Sequence, residues 1–394
     1  MRRRAARAPA TTMTTRIRRP MRALPLLEER RAALETCVYC PKLCRGACPV
    51  STAEPRETLT PWGKMTTAWM LAHGDVPIEG TSAAPAWACT GCLACTRACA
   101  HENPVAESLL DARSALTLRA AAIPGAARSV ARFEHHAAKA RRAARRLASR
   151  ACTAPSARDA AFIGCAYLRG APDEAAAALE VAKRVAGTSV ALVESCCGLP
   201  LRLAGDRSAF ERQGLAVAEA LGRFERIYVA DPGCALTLKE RYPREIGADL
   251  GPRIVLLIEA AAREVGARAR DVGPLETGER QAARWHDPCA LGRGLGVYDA
   301  PRSVLEHVLG RAPDEFEETR AQAACSGGGG LLPATLPSIA EGIAAARVAE
   351  HVRSGGGRIV TGCAASLLAL RRSGRRSGVP VDDVLSWAAR ALRG

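Results

Sequence analysis

Two short stretches decide how this chain is read: CVYCPKLCRGACP at residues 37–49 and CTGCLACTRAC at residues 89–99. The first gathers Cys37, Cys40, Cys44 and Cys48; the second gathers Cys89, Cys92, Cys95 and Cys99. A cube of four irons and four sulfides needs four thiolates converging on one compact object. Two-residue gaps let a single loop supply three of them, and the fourth must arrive from elsewhere. The rival is a pair of zinc sites, but zinc usually takes two separated cysteine pairs, not four cysteines in one run ending in Cys48 and Pro49. The spacing predicts two [4Fe–4S] centres in one helical module over residues 31–118.

In two-cluster ferredoxins the last cysteine of each run crosses to the other centre. Carried over to these residues, the first centre takes Cys37, Cys40, Cys44 and Cys99, and the second takes Cys89, Cys92, Cys95 and Cys48. Pro49 after Cys48 fits that pattern. Two departures stand beside it. Three residues separate Cys40 from Cys44, so the first loop is one residue longer, and Pro104 comes five residues after Cys99 instead of directly behind it.

Working outward, the 394-residue chain is long enough for two or three domains. Sixteen cysteines in a chain without a secretory signal point to metal ligation over disulfides. The formal charge of +16 comes from 51 arginines and only five lysines, the bias of a GC-rich genome. No nucleic-acid recognition motif accompanies it, so nucleic acid is not an expected partner. No stretch reaches the roughly 18 apolar residues a membrane helix needs. Residues 1–30 read as a disordered basic leader, with Met13 and Met21 as alternative starts, and the expected location is cytoplasmic or peripheral at the inner face of the membrane. Residues 119–152, rich in Ala and Arg, read as a basic linker helix. Its charged face suits solvent, an acidic partner or a membrane surface.

Beyond Arg150 short apolar runs alternate with helical segments. Residues 161–164, 190–193, 226–229 and 358–360 read as buried strands, and 173–185, 210–221 and 339–352 as the helices between. That alternation predicts α/β layers with mostly parallel sheets. The region also repeats. Cys165, Cys197 and Cys234 recur as Cys289, Cys325 and Cys363 at offsets of 124, 128 and 129 residues. Two tandem cysteine-rich units follow, at 153–270 and 271–394. Each cysteine trails a strand, and the C-terminal ends of parallel strands gather at one edge. Cys165, Cys196, Cys197 and Cys234 can therefore meet in one pocket. Cys152 has no counterpart and no assigned role.

On these residues the chain resembles a family: the D-type subunit of heterodisulfide reductase and the iron–sulfur subunit of glycolate oxidase. The resemblance covers roughly residues 34–390. It rests on Cys196-Cys197-Gly198, on His286-Asp287-Pro288-Cys289 with Leu291-Gly292-Arg293, on residues 296–302, on Cys325-Ser326-Gly327-Gly328-Gly329, and on Thr60-Pro61-Trp62-Gly63-Lys64. It implies a helical two-cluster ferredoxin-like module followed by two α/β repeats of the CCG type. It also implies one or two further iron–sulfur clusters, with Cys165, Cys196, Cys197, Cys234, Cys289, Cys325 and Cys363 as ligands. Against the family pattern, Thr237 and Ser366 replace final cysteines, Ala324 replaces one of a cysteine pair, and Ala290 follows Cys289 where relatives often carry His. The second repeat keeps three thiols.

The resemblance implies an electron-transfer subunit relaying electrons between a flavin-containing dehydrogenase and a quinone, ferredoxin or disulfide acceptor. A catalytic heterodisulfide-reductase-like or 2-hydroxy-acid oxidoreductase subunit is the alternative, and an iron–sulfur regulator or scaffold without turnover is a third. His286 and Asp287 are candidates to tune a cluster from behind its ligands. Residues Gly327–Gly330 lack the Lys-Ser/Thr of a phosphate loop and are expected to approach a cluster closely through their backbone. The Gly292, Gly294, Gly296 series is no dinucleotide fingerprint, so neither NAD nor flavin is expected in this chain.

Overall fold

The computed structural model describes residues 19–40, 42, 44–268 and 282–393. Helices dominate, and two small sheets carry the remainder of the regular structure. The first sheet holds β1 (Asp159–Phe162), β2 (Val190–Leu192), β3 (Arg226–Val229) and β4 (Ile254–Leu256) in the order β2-β1-β3-β4. The second holds β5 (Ala283–Trp285), β6 (Asp314–Glu315), β7 (Arg358–Thr361) and β8 (Val381–Asp383) in the order β6-β5-β7-β8. All strand pairs are parallel. The same order twice is the structural imprint of the repeat read from the cysteine offsets.

In each sheet the chain leaves the first strand for one edge and returns past it to the third. The switch point lies between β1 and β3, and between β5 and β7, where loops diverge and open a crevice beyond the strand ends. Cys165 and Cys234 follow β1 and β3; Cys289 and Cys363 follow β5 and β7. The strands read from the sequence, β1, β2, β3 and β7, are three or four residues long and mostly buried, hence the apolar runs. Strands β4, β5 and β8, and the two-residue β6, add to those read from the sequence; their runs are too short or too charged to stand out.

The expected leader is corrected over its described part. Residues 1–18 lie outside the described residues, but 19–30 are folded. Pro25–Arg30 forms a short helix, and Met21, Leu24 and Leu27 are buried against the helix Pro61–His73 and its neighbours. Three apolar residues spaced by three supply that anchor. The single linker helix is two helices, Pro124–Ala131 and Phe133–Arg150, parted at Arg132. Phe133, Ala140 and Ala144 of the second are buried in the core of the first repeat, while its arginines stay outside.

The two repeats are bonded to each other. The Ala364 amide donates to Asp231 Oδ2 at 3.0 Å, and Tyr167 donates its hydroxyl proton to Asp383. Burial pushes the Asp383 carboxyl up to about 7, with Glu174 and Asp231 adding to the rise and Tyr167 and the Leu385 amide opposing it. The folded chain then holds a proton that the unfolded chain has lost, so stability falls as pH rises from about 4 to about 7. Asp383→Asn is expected to flatten that slope and raise stability near neutrality. Denaturant midpoints at about pH 5 and about pH 7 check it; an equal loss in both proteins would contradict it.

Candidate functional site: a chain of thiols at the junction of three units

The first cysteine run sits between the helix Arg31–Val38 and the short helix Pro49–Ala53, and the second precedes the helix Val105–Leu118. Cys44, Cys99 and Cys40 stand close enough to Cys37 to raise its thiol, and Cys99, Cys40 and Cys48 do the same at Cys44. Cys95 feels Cys89, Cys92 and Cys48. Cys99 thus lies near Cys37 and Cys44, and Cys48 lies near both Cys44 and Cys95. All sixteen cysteines are free thiols. Among the described residues no three His, Cys, Asp or Glu side chains close on one point as a single metal ion requires.

In the first repeat, Cys165 and Cys196 Sγ atoms stand 3.4 Å apart and Cys197 and Cys234 3.6 Å apart, with Cys196 touching Cys197. Gly164 makes room for this. Its φ is +97°, and an added Cβ would press on Asp231 and lie 3.4 Å from Cys234 Sγ. Asp231 accepts from the Gly233 and Cys234 amides and so fixes the turn that presents Cys234.

The second repeat behaves differently. Cys325 is within hydrogen-bond reach of both Cys289 and Cys92 of the second run. Cys48, Cys92 and Cys325 share one small core with Leu59, Leu332 and Ile343, against which Cys289 packs. Cys363 faces Asp231 and Asp383 and accepts from the Ala365 and Ser366 amides. Where the resemblance led to expect a fourth thiol, Ser366 Oγ instead meets Ser326 Oγ at 2.9 Å.

Donors face several of these sulfurs. Asn103 Nδ2 reaches Cys37 Sγ at 3.0 Å, Lys64 Nζ reaches Cys48 at 3.3 Å, the Gly91 amide Cys89 at 3.4 Å and the Gly327 amide Cys325 at 3.3 Å. Burial pushes the Cys37 thiol up to about 12, against the pull of Asn103. Contact with Cys289, joined by burial, takes Cys325 to about 12. Such thiols stay protonated unless a bound cation draws them to thiolates. Thiols in groups of four, met by N–H donors, are a donor set that fits iron–sulfur clusters.

The glycine run approaches other backbone closely, and its Gly327 amide faces Cys325. A Cβ on Gly330 would overlap the Cys89 carbonyl oxygen, and one on Gly329 that of Thr90. The close approach is of backbone to backbone, and it seats the second repeat on the second cysteine run. Gly330→Ala is expected to cost at least about 1–3 kcal/mol by overpacking and to loosen that seat. Chemical denaturation reads the cost; an unchanged midpoint would refute it.

His286 and Asp287 are also tied down. Asp287 accepts from Trp285 Nε1, from both terminal nitrogens of Arg302 and from the Arg320 amide; despite its burial these donors hold it below the usual carboxylate range. Burial drives His286 down to about 3, so it is a neutral imidazole accepting from Arg347 at 3.3 Å. Among the described residues neither bonds a thiol. Sequence reasoning passed over Asn103, Arg113, Asp231 and Arg293, which hold or face the thiols. One signal was present: in a chain with five lysines, Lys64 between two cysteine runs stands out.

Thiols from all three units line one cavity of about 650 Å³. Cys89, Cys165, Cys197, Cys234, Cys289 and Cys363 face it. No helix of the described residues is long and apolar enough to cross a membrane.

Comparison with known proteins agrees with this architecture. Residues 33–103 match the 4Fe-4S dicluster domain, and residues 160–239 and 283–371 match the cysteine-rich domain. The D-type subunit of the dihydromethanophenazine:CoB–CoM heterodisulfide reductase of Methanosarcina mazei is 30% identical over 208 residues, 50% of either chain. The B-type subunit of the fumarate reductase (CoM/CoB) of Methanothermobacter marburgensis is 33% identical over 201 residues, 50% of this chain and 38% of that one. A Chromohalobacter salexigens protein named "Probable membrane-anchored ferredoxin" is 27% identical over 351 residues, 81% of this chain and 51% of that one. The chain spans about half, or less, of the length of these curated relatives.

Proposed function

We propose that this chain, a relative of the D-type subunit of heterodisulfide reductase with one dicluster domain and two cysteine-rich domains, is the iron–sulfur electron-transfer subunit of an oxidoreductase complex. Cys37, Cys40, Cys44 and Cys99 would hold the first centre, Cys89, Cys92, Cys95 and Cys48 the second, and Cys165, Cys196, Cys197 and Cys234 a third. When bound, such centres carry single electrons between donors and acceptors.

One observation carries the reading: the thiols are continuous. Cys44 adjoins Cys48, Cys92 adjoins Cys325, Cys325 adjoins Cys289, and the cavity beyond reaches the first repeat. The chain's own residues bury much of this path, supply N–H donors to its sulfurs and seat the second repeat on the second cysteine run through Gly329 and Gly330. The partner we propose is a flavin-bearing dehydrogenase, with a quinone, ferredoxin or disulfide as acceptor. Arg132, Lys139, Arg141, Arg142, Arg146 and Arg150 form an exposed ridge suited to an acidic face of that partner. Reversing Arg141, Arg142 and Arg146 to Glu is expected to slow electron exchange with an acidic donor protein, and to erase its dependence on salt. Unchanged kinetics would rule the ridge out.

The cavity favours a second reading, in which the chain itself reduces a small disulfide or oxidises a 2-hydroxy acid among the thiols. Anaerobic protein given an artificial one-electron donor separates the two. The relay predicts bleaching without sustained turnover until a partner is added. Continued disulfide reduction by the isolated chain would contradict it.

A further inference from the structure

Three cations close around the second thiol set with no acid to answer them. Lys64 is 2% exposed, and its Nζ bonds Cys48 Sγ. Arg113 is 1% exposed and donates to four carbonyls: Ala86 and Cys89 of the dicluster part, Leu203 of the first repeat and Gly330 of the second, all at 2.9–3.0 Å. Arg293, from the loop after Cys289, donates Nε to the Cys92 carbonyl at 2.6 Å and Nη1 to those of Ala321 and Ala323. Its Nη2 is buried without a partner among the described residues.

Most other deeply placed arginines pair with acids, although among the described residues Arg284 of β5 also donates only to carbonyls, those of Glu315 and Ser354. Arg202 pairs with Asp111 and Glu245, Arg241 with Glu107 and Glu245, Arg302 with Asp287 and Glu315, and Arg347 with Glu350. Among the described residues Lys64, Arg113 and Arg293 form no such pair. A buried charge left unpaired is costly, and carbonyl dipoles offset only part of the cost. Three such charges, two from the dicluster part and one from the second repeat, converging on four thiols therefore imply an anion that belongs there. Neutral thiols do not supply it. A four-iron cube on four thiolates does, because its net charge is negative and grows more so on reduction.

The first thiol set lacks this feature. The donor on Cys37 is the neutral Asn103, and the cations of that run, Lys42 and Arg45, both pair with Glu57. Lys64 and Arg113 act on Cys89, and Arg293 acts on Cys92.

We propose that Lys64, Arg113 and Arg293 are the counter-charge of the second iron–sulfur centre, and that Lys64, in contact with a ligand sulfur, is a positioning residue that sets its reduction potential. The proposal rests on the dicluster reading above. A positive charge beside the centre favours the more negative, reduced state, so its removal lowers the potential. Because the second repeat contributes Arg293, docking of that repeat is part of what poises the centre.

The test is a redox titration of the full-length, anaerobically prepared protein followed by low-temperature EPR, after iron and sulfide have been counted. Lys64→Met is expected to keep its iron and move one of the two dicluster signals to lower potential. The expected change is at least tenfold in the reduced-to-oxidised ratio at fixed potential, which is 59 mV for a one-electron couple. The other signal stays in place, Lys64→Arg recovers most of the shift, and Arg293→Met moves the same signal the same way. Loss of about four irons in Lys64→Met with retention in Lys64→Arg would also support the charge requirement. Two unmoved signals in Lys64→Met, or an equal fall in Lys64→Arg, would overturn the proposal while leaving the dicluster reading intact. Wild-type protein without iron and sulfide would overturn both, and the prior count distinguishes that case.

Discussion

Replacing Cys48 with serine is expected to strip the second iron–sulfur centre, although Cys48 belongs to the first run. It neighbours Cys95 and Lys64 as well as Cys44 of its own run, while Cys99 keeps company with Cys37 and Cys44. With one of four thiolates gone, the cube loses a corner and the buried site around Cys89, Cys92 and Cys95 is left with an uncoordinated iron. Iron should fall by about four per chain, the content of one cube. The mirror substitution, Cys99→Ser, should remove the same amount but spare the signal that responds to Lys64. Were Cys48→Ser to abolish the signal insensitive to Lys64 instead, each run would be holding its own centre and the crossed assignment would be wrong.

The largest effect on stability is expected from Arg202→Met. Arg202 is 2% exposed and donates to Asp111 and Glu245, to the Leu110 carbonyl and to Ser114. It thereby joins the helix Val105–Leu118 of the dicluster part to the first repeat. Methionine keeps most of the volume but leaves two buried carboxylates short of a cation. Removing one partner of such a pair costs about 3–5 kcal/mol. The cost should sit toward the lower end, since Arg30 still holds Asp111 and Arg241 still holds Glu245. Denaturant unfolding of both proteins under one condition measures it. A loss below about 1 kcal/mol, the range of exposed pairs, would mean that these carboxylates are solvated.

How much of this was legible beforehand depends on where the information lies. The cysteine runs and the repeat were readable because ligand spacing and duplication are written along the chain. The strands at 190–193, 226–229 and 358–360 were readable because, apart from the leading Arg226 and Arg358, their runs are apolar and mostly buried. The short β5, β6 and β8 were not, since three residues such as Val381–Asp383 carry no periodicity. The folded part of the leader was hidden by its arginines; Met21, Leu24 and Leu27 are sparse beside Arg18, Arg19 and Arg22. At the site, the purpose of Arg113 and Arg293 was not legible. Both act through carbonyls of residues distant in sequence; the Leu291-Gly292-Arg293 motif marks Arg293 but not its contacts, and nothing local marks Arg113 among 51 arginines. The placing of Cys363 beside Asp231 of the other repeat is likewise a tertiary outcome.

The central claim is that thiols from distant positions grip iron and inorganic sulfide. Iron and acid-labile sulfide counted on anaerobically prepared protein, with low-temperature EPR of the reduced sample, address it most directly. The expected result is a brown protein with at least about eight irons and as many sulfides per chain, four of each per cube, and reduced signals of [4Fe–4S] type. Colourless protein carrying zinc and no sulfide would contradict it.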